Sequence, residues 1–346
     1  MWASPMDLSR YTVRAGDLLV SEGGDVGRPQ FAPAQADGVV IQNSLHRLRV
    51  VGDHDIRFLR YGLVAVYLSD WLEVLCNKST FGHLTAEKLA ALQIPVPPVA
   101  KQRAIADLLD SETARIDALI TKKRRMIDLL EERLNGLIDM LTVGHFIPLR
   151  RAVTRFVDYR GATPEKSAGG VPLVTATHIK HGRVRHELDP QFVTQETYQA
   201  WMRRGLPSSG DVVMTTEAPL GEVARLEDPY VALAQRLILF KVDPNRTMST
   251  YLAYALRSTR FRGKLLANAT GSTALGIKAE RLKGLEIGVP PVPDQIAIGN
   301  KLRAAEHATL RAKELCLEQV GLLDEQRHAL VTAAVTGAFA LPGAAA

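Results

Sequence analysis

The feature of this chain that most constrains its fold is an internal repeat at an offset of 193 residues. The segment IPVPPVAKQRAI at 94–105 returns as IGVPPVPDQIAI at 287–298. The segment IDLLEERLNGLIDMLTVGHF at 127–146 returns as VGLLDEQRHALVTAAVTGAF at 320–339. Because self-similarity at a fixed offset indicates one structural unit used twice, the 346 residues predict a duplicated architecture.

Each copy has the same order of parts: a β-rich block, a pair of prolines and a long helix. In the second block, the apolar runs at 171–176, 211–216 and 237–242 are separated by Gly, Pro and Asp. This pattern predicts strands and turns. The stretch 248–268 has a helical pattern, so the block is predicted to combine a sheet with helices.

The long helices are predicted to begin after Pro97-Pro98 and Pro290-Pro291, because proline is tolerated at the first turn of a helix but not inside it. Residues 101–143 contain no proline and only one glycine, Gly136. A helix of that length is about 60 Å long.

Both helices carry a narrow apolar seam with three- and four-residue spacing, interrupted by Lys123 in the first helix and by Arg327 in the second. A coiled coil buries such a seam, so the two helices are predicted to pack against each other. Packing of each helix on its own globule is the alternative. The seam residues are Ile116, Ile120, Ile127, Leu130, Leu134, Leu137 and Leu141, and Cys316, Val320, Leu323, Leu330 and Ala334.

Positive charge is concentrated in one part of the chain. Residues 148–291 hold 21 Lys and Arg against 13 Asp and Glu, whereas the net charge of the whole chain is +6. A basic globule beside nearly neutral segments indicates a polyanionic partner.

Cys76 and Cys316 stand alone, which excludes a disulfide framework and favours a reducing cytoplasm. Residues 329–346 carry no charge, but Gly337 and Pro342 interrupt them. They are predicted to form a helix end and a frayed tail rather than a membrane span.

The most basic segment of the second block is 174–186, which contains no acid. A basic loop after a strand suits a DNA groove, although a solvated loop has the same composition. Its candidate contacts are Thr177, His178, Lys180, Arg183 and Arg185. No carboxylate or cysteine accompanies its three histidines at ligand spacing, so zinc is not predicted.

A second basic run covers residues 257–264. On a helix, Arg257, Arg260 and Lys264 would share one face, which suits phosphate contact. A solvated basic face is the alternative.

Further candidates lie beside glycines and strand ends. Ser272, Thr273 and Lys278 follow a Thr-Gly pair. The first copy has a similar sequence, Lys-Ser-Thr, at 78–80. Small hydroxyl residues beside glycine indicate either a close approach to DNA or a turn. Thr215 and Thr216 end a predicted strand. Gln235 and Arg236 have side chains that read adenine and guanine, or they are structural.

The chain lacks the motifs of a DNA-modifying enzyme. An amino-methyltransferase needs an Asn/Asp-Pro-Pro-aromatic loop around the flipped base, and Asp228-Pro229-Tyr230 lacks the second proline. No phosphate-binding GxxxxGK[ST] loop occurs. The chain is therefore predicted to be non-catalytic.

This arrangement resembles the specificity subunit of type I restriction–modification enzymes. The resemblance covers essentially the whole chain. It is carried by the doubled hydrophobic-Pro-Pro-x-x-x-Gln-x-x-Ile signature, by Leu-Leu-Glu-Glu-Arg at 129–133 and Leu-Leu-Asp-Glu-Gln at 322–326, and by Gly-x-Phe at 144–146 and 337–339.

The resemblance implies an α+β fold in which two target-recognition domains are joined by two long antiparallel helices. It implies that each domain binds one half of a split sequence in double-stranded DNA. Methylation subunits would dock along the helices and bring in restriction subunits. S-adenosylmethionine, ATP and magnesium would bind to those partners, and this chain would hold no cofactor or metal and would not enter a membrane.

One departure from the pattern concerns the first block. The second block has about 60 residues before Gly210-Asp211, whereas Gly16-Asp17 follows only 15 residues. The first recognition domain is therefore predicted to lack about its first third, through a late start codon, a truncated gene or a split subunit. The predicted parts are a truncated domain at 1–98, a helix at 99–146, a complete basic domain at 147–291, a helix at 292–340 and a tail at 341–346.

Two functional interpretations remain open at this point. The first is a subunit that recognises a bipartite DNA target. The second is a half-functional, single-headed DNA-binding subunit that needs a second copy or a partner fragment.

Overall fold

The computed structural model describes residues 5–41, 44–69, 71–72, 83–159, 163–271 and 274–338. They form two compact units, each of which contains part of both long helices. The first unit combines Met1–Arg125 with Leu315–Ala346, and the second unit is Met126–Glu314.

The first unit is built on an antiparallel sheet of three strands in the order β2-β1-β3. Leu18 and Val20 of the central strand are fully buried, and they pack with Leu63 and Leu84. The elements are α1 (Pro5–Tyr11), β1 (Leu18–Ser21), β2 (Pro29–Phe31), β3 (Leu45–Leu48), α2 (Ile56–Tyr67) and α3 (Ala86–Ala90).

The two long helices begin at the predicted prolines. The first, α4, spans Val99–Leu141. The second, which we number α10 in chain order, spans Val292–Thr336. Every predicted seam residue is buried or half-buried.

Within the first unit the two helices run antiparallel. Ile105 and Leu109 of α4 share a core with Val331 and Val335 of α10. Further along α4, Asp117 accepts a 2.7 Å hydrogen bond from Arg327, which lies earlier in α10. The helix pairing is therefore confirmed in this unit, and the charged interruption of the α10 seam is satisfied by an ion pair.

The second unit contains a four-stranded antiparallel sheet in the order β11-β10-β13-β5. A smaller sheet has the order β12-β6-β9, and β4–β14 and β7–β8 form two-stranded pairs. The strands are β4 (His145–Pro148), β5 (Arg155–Asp158), β6 (Val171–Val174), β7 (Ile179–Lys180), β8 (Arg183–Val184), β9 (Phe192–Val193), β10 (Val212–Thr216), β11 (Leu220–Arg225), β12 (Ala232–Leu233), β13 (Leu237–Lys241) and β14 (Glu286–Val289).

Five short helices cover this unit: α5 (Leu149–Ala152), α6 (Gln195–Trp201), α7 (Ser249–Ala255), α8 (Thr259–Ala267) and α9 (Ala279–Gly284). The helix predicted over 248–268 is thus two helices. The break occurs because the Ser258 hydroxyl accepts a 3.3 Å hydrogen bond from the Phe261 amide and caps α8. Antiparallel helix pairing recurs in this unit, where Ile138 packs with Leu302 and Glu131 pairs with Lys313.

The repeat extends to the hydrogen bonds of a buried glutamine. In the first unit, Gln102 Oε1 accepts from the Asp55 amide at 3.1 Å, and its Nε2 donates to the Pro97 carbonyl at 2.7 Å. In the second unit, Gln295 accepts from the Met248 amide and donates to the Pro290 carbonyl, both at 2.8 Å. The signature glutamine therefore ties the proline turn to the start of α2 or α7.

The turns that lead into the central strands β1 and β10 contain the same hydrogen bond. Asp17 Oδ2 accepts from the Arg14 amide at 2.8 Å, and Asp211 Oδ2 accepts from the Ser208 amide at the same distance. A cation then pairs with each carboxylate: Arg49, directly after β3, in the first unit and Lys241, the last residue of β13, in the second. The predicted correspondence of Gly16-Asp17 with Gly210-Asp211 is confirmed.

The units differ in one large segment. Residues 145–209 contribute β4 to β9, α5 and α6 to the second unit. The described part of the first unit contains no strand that corresponds to β4 to β9, and its β3 lies at the sheet edge, where the matching β13 pairs with β5. In neither unit does a described helix combine the length and hydropathy that crossing a membrane requires.

Candidate functional site

The basic segment predicted as a loop forms a tight hairpin of β7 and β8. Lys180 and Arg183 are directly paired across it, and His181 and Gly182 form its two-residue turn. Both turn residues have positive φ, 51° and 78°, as a twisted two-residue hairpin requires. Ile179 is buried in the core of the unit, so alternation directs Lys180 and Arg183 to the exposed face.

The exposed face of this hairpin has an unusual charge arrangement. Like charges directly opposite each other on neighbouring strands are destabilising. Among the described residues, neither Lys180 nor Arg183 has an acidic partner within ion-pair distance, whereas Arg185 pairs with Glu187 at 2.7 Å. Two cations are therefore held together and remain available to an anion.

The prediction that His178 contacts DNA needs correction, because this side chain is fully buried. Its Nδ1 accepts from the Thr175 amide at 3.1 Å, and its Nε2 lies 2.8 Å from the Asp189 carbonyl. Burial lowers the pKa of His178 below its ordinary value of 6.5. His178 is thus a neutral structural residue, while its neighbour Thr177 is exposed.

Two histidines of the basic segment contact each other. The His178 and His186 rings contact edge to face at 5.3 Å. Across the described ranges, no group of three or more His, Cys, Asp or Glu side chains is arranged to hold a metal ion.

The predicted basic helix face also needs correction at Arg257, which precedes the cap of α8 and lies outside the helix. Its guanidinium forms a 2.7 Å ion pair with Glu306 of α10 and lies 5.2 Å from the ring centre of Tyr254. With only 18% of its side chain exposed, Arg257 is engaged inside the unit.

The other two members of that face do lie together. Arg260 and Lys264 both pack over the Phe146 ring, at 4.9 and 5.5 Å from its centre. Lys264 also pairs with Glu286 at 3.0 Å. Arg260 is exposed and remains a candidate for phosphate contact.

Thr215 and Thr216 are buried in β10, an inner strand of the large sheet, which contradicts the prediction that they contact DNA. The Thr215 hydroxyl accepts from the Glu222 amide at 2.9 Å. Both positions were mispredicted because β10 has neighbours on both edges and is covered on both faces, so alternation does not bring either side chain to solvent.

The remaining candidates are closer to the surface. Gln235 donates a 2.8 Å hydrogen bond to Thr163, and Arg236 lies 3.8 Å from Glu217. Lys278 is exposed at the start of α9. Ser272 and Thr273, like the matching residues 78–80, lie outside the described residues.

A cleft of about 250 Å³ opens beside the hairpin turn within the second unit. Its acids are paired with its cations: Glu306 with Arg257, Glu222 with Arg262 and Glu131 with Lys313. Sequence reasoning did not identify Gly182 and Glu306 as neighbours at the hairpin turn. The glycine itself indicated only a turn position with positive φ.

Comparisons with known proteins agree on one family. A family model described as the Type I restriction modification DNA specificity domain matches residues 7–128 and 160–319. A Haemophilus influenzae protein named as a type I restriction enzyme specificity subunit is 21% identical over 330 residues, which cover 89% of this chain and 80% of that protein.

Two solved structures share the fold. A chain in a structure described as the basis of complex assembly and conformational transition of the type I R-M system has a TM-score of 0.74 at 15% identity, covering 94% of this chain and 83% of that one. The HsdS subunit from Thermoanaerobacter tengcongensis has a TM-score of 0.53 at 15% identity, covering 96% and 84%.

Proposed function

We propose that this chain, which belongs to the Type I restriction modification DNA specificity family, is the DNA sequence-recognition subunit of a type I restriction–modification complex. The family model matches both units. The fold is that of solved chains of such systems.

The observation that carries the proposal is the cationic β7–β8 hairpin. A two-stranded ribbon fits the major groove of duplex DNA, and the paired Lys180 and Arg183 would be relieved of their mutual repulsion by phosphates. The exposed Arg260 and Lys278 add positive charge to the same unit.

The wider assembly is part of the proposal. The duplicated units support a bipartite target, with one part of the sequence bound by each unit. Exposed apolar side chains on the long helices, such as Leu129 and Leu322, support docking of methylation subunits, through which restriction subunits join. S-adenosylmethionine, ATP and magnesium then belong to these partners, and this chain is a non-catalytic, cytoplasmic component.

The test is a salt titration of binding between the full chain and a 40-base-pair duplex. Each phosphate contact contributes about −0.9 to the slope of log K against log salt. We expect Lys180→Ala with Arg183→Ala to reduce the steepness of that slope by up to about 2 and to weaken binding about tenfold or more at low salt. The matched control is Lys122→Ala with Arg124→Ala, two exposed cations on α4.

Absence of duplex binding by the unaltered chain at low salt would contradict the proposal. An identical loss in the hairpin variant and in the control would show that the hairpin has no special part in binding.

A second candidate function is a single-headed DNA-binding subunit. It is favoured by strands β4 to β9 of the second unit, to which no strand in the described part of the first unit corresponds. Native mass measurement with a methylation subunit separates the two candidates. One copy of this chain per complex supports the bipartite subunit, and two copies or an added polypeptide support the single-headed one.

A further inference from the structure

The turn of the cationic hairpin rests on an ion pair that belongs to the helical part of the second unit. Gly182 forms a parallel bridge with Ala224 of β11. A Cβ added at Gly182 would lie 2.6 Å from Arg257 Nη1 and 3.2 Å from Glu306 Oε1. The turn backbone therefore approaches this ion pair as closely as a residue without a side chain allows.

The ion pair beneath the turn is itself fixed on several sides. Glu306 binds the guanidinium with one carboxylate oxygen and accepts a 2.8 Å hydrogen bond from the Tyr254 hydroxyl with the other. Side-chain exposure is 18% for Arg257 and 14% for Glu306. A guanidinium held in this way cannot swing aside freely when the turn above it changes.

The first unit shows that the ion pair is not required by the repeated scaffold. At the same offset, Tyr254 corresponds to Tyr61, but Arg257 corresponds to Val64 and Glu306 to Thr113. The Tyr61 hydroxyl donates to Asp110 at 2.7 Å and lies 3.2 Å from the Thr113 hydroxyl, without an ion pair at the position of Arg257 and Glu306. The ion pair is therefore found in the second unit and not in the described part of the first.

We propose that Gly182, Arg257 and Glu306 are positioning residues that hold the β7–β8 hairpin in the orientation needed to discriminate between DNA sequences. This inference rests on the proposed DNA-binding function and deepens it. An isolated two-stranded hairpin is at best marginally stable. The orientation of this hairpin therefore depends on its contacts with the rest of the unit, namely Ile179 in the core, the bridge from Gly182 to Ala224 and the ion pair beneath the turn.

Displacing the hairpin turn should reduce the discrimination between DNA sequences more than it reduces the overall affinity for DNA. Phosphate contacts tolerate small displacements, because charge acts over a distance, whereas contacts with base edges need defined geometry. A hairpin with intact cations but a displaced turn would still bind DNA and would lose preference for its target.

The experiment uses the full chain and duplexes that the unaltered protein enriches from a randomised 40-base-pair pool. The measured quantity is the ratio of dissociation constants for a scrambled and an enriched duplex. We expect Gly182→Ala and Glu306→Gln each to lower this ratio about tenfold or more, while affinity for the scrambled duplex changes less than about twofold. Arg257→Lys, which keeps the charge and loses the planar fork, should have an intermediate effect.

Matched controls change the same residue types elsewhere in the unit. Gly169 has no neighbour near an added Cβ, and Glu280 is 83% exposed, so Gly169→Ala and Glu280→Gln should keep the full ratio. Hydrogen exchange of amides 179–185 should accelerate in Gly182→Ala and Glu306→Gln without acceleration in the β10 and β13 core. That pattern separates displacement of the hairpin from general unfolding.

The inference is overturned if both variants keep the ratio, or if exchange accelerates equally across the unit. It is also overturned if the unaltered chain binds all duplexes equally. The proposed function fails separately, and only if the unaltered chain shows no salt-dependent duplex binding or the hairpin cations can be removed without effect.

Discussion

The first and second units share the strands around β1 and β10, the buried glutamine of the proline signature and the tyrosine that packs on the long helices. They differ in the segment 145–209 and in the charges beneath its hairpin. Both units thus have the contacts that join a sheet to the helices, whereas the ion pair beneath the hairpin is found in the second unit and not in the described part of the first. Stability and recognition should therefore respond to different substitutions.

The largest expected effect tests the shared scaffold. Gln102→Ala and Gln295→Ala each remove a buried side chain that satisfies one backbone amide and one backbone carbonyl, so each should lower the free energy of unfolding by about 3 kcal/mol. Hydrogen exchange resolved by unit would check whether the loss is local to the altered unit. The exposed Gln93→Ala is the control, and a large loss from only one of the two buried glutamines would break the equivalence of the units.

A smaller effect distinguishes the units by pH. The hydrogen bond from Arg49 lowers the pKa of Asp17 below its ordinary value of 3.8. The ionised Asp17 therefore stabilises the fold above about pH 3.8, and this stabilisation is lost as the pH falls through the pKa of the folded state. Burial lowers the pKa of His178 below 6.5. Protonation of His178 therefore favours the unfolded chain, and its stabilisation is present above about pH 6.5 and is lost below it.

The second unit should accordingly begin to lose stability at a higher pH than the first. Unit-resolved hydrogen exchange between pH 7 and 3 measures both transitions. Asp17→Asn should reduce the loss of stability of the first unit at low pH without abolishing it, because the pKa values of Asp25 and Asp55 are lowered as well. Asp53→Asn, which alters a side chain that is 78% exposed, should leave that loss unchanged. Simultaneous loss of both units near pH 6.5 would contradict the assignment.

Much of the scaffold could be predicted from the sequence, because it depends on local rules. The prolines at 97–98 and 290–291 gave the helix starts, since proline ends an extended segment and tolerates only a first helical turn. The apolar seam gave the helix pairing, which is confirmed within each unit. The boundary at Ser258 was missed because a cap inside a helical pattern depends on side-chain geometry.

The candidate site was only partly predictable. Lys180 and Arg183 were found from the basic composition of 174–186, and the structure places them on one exposed face. Composition did not separate them from His178, which lies in the short 3-10 turn Ala176–His178 before the hairpin and is buried by its contacts with the Thr175 amide and the Asp189 carbonyl. The Arg257–Glu306 pair joins residues about 50 positions apart, and no local pattern signals such a contact.

The most direct test of the central claim is hydrogen exchange of the full chain with and without saturating duplex DNA. The strongest protection should be centred on Ile179–Val184 and extend to the surroundings of Arg260, with weaker protection in the first unit. Saturation with DNA that leaves the hairpin amides unprotected, or protection confined to the first unit, would contradict the assignment of the hairpin as the main DNA-binding element.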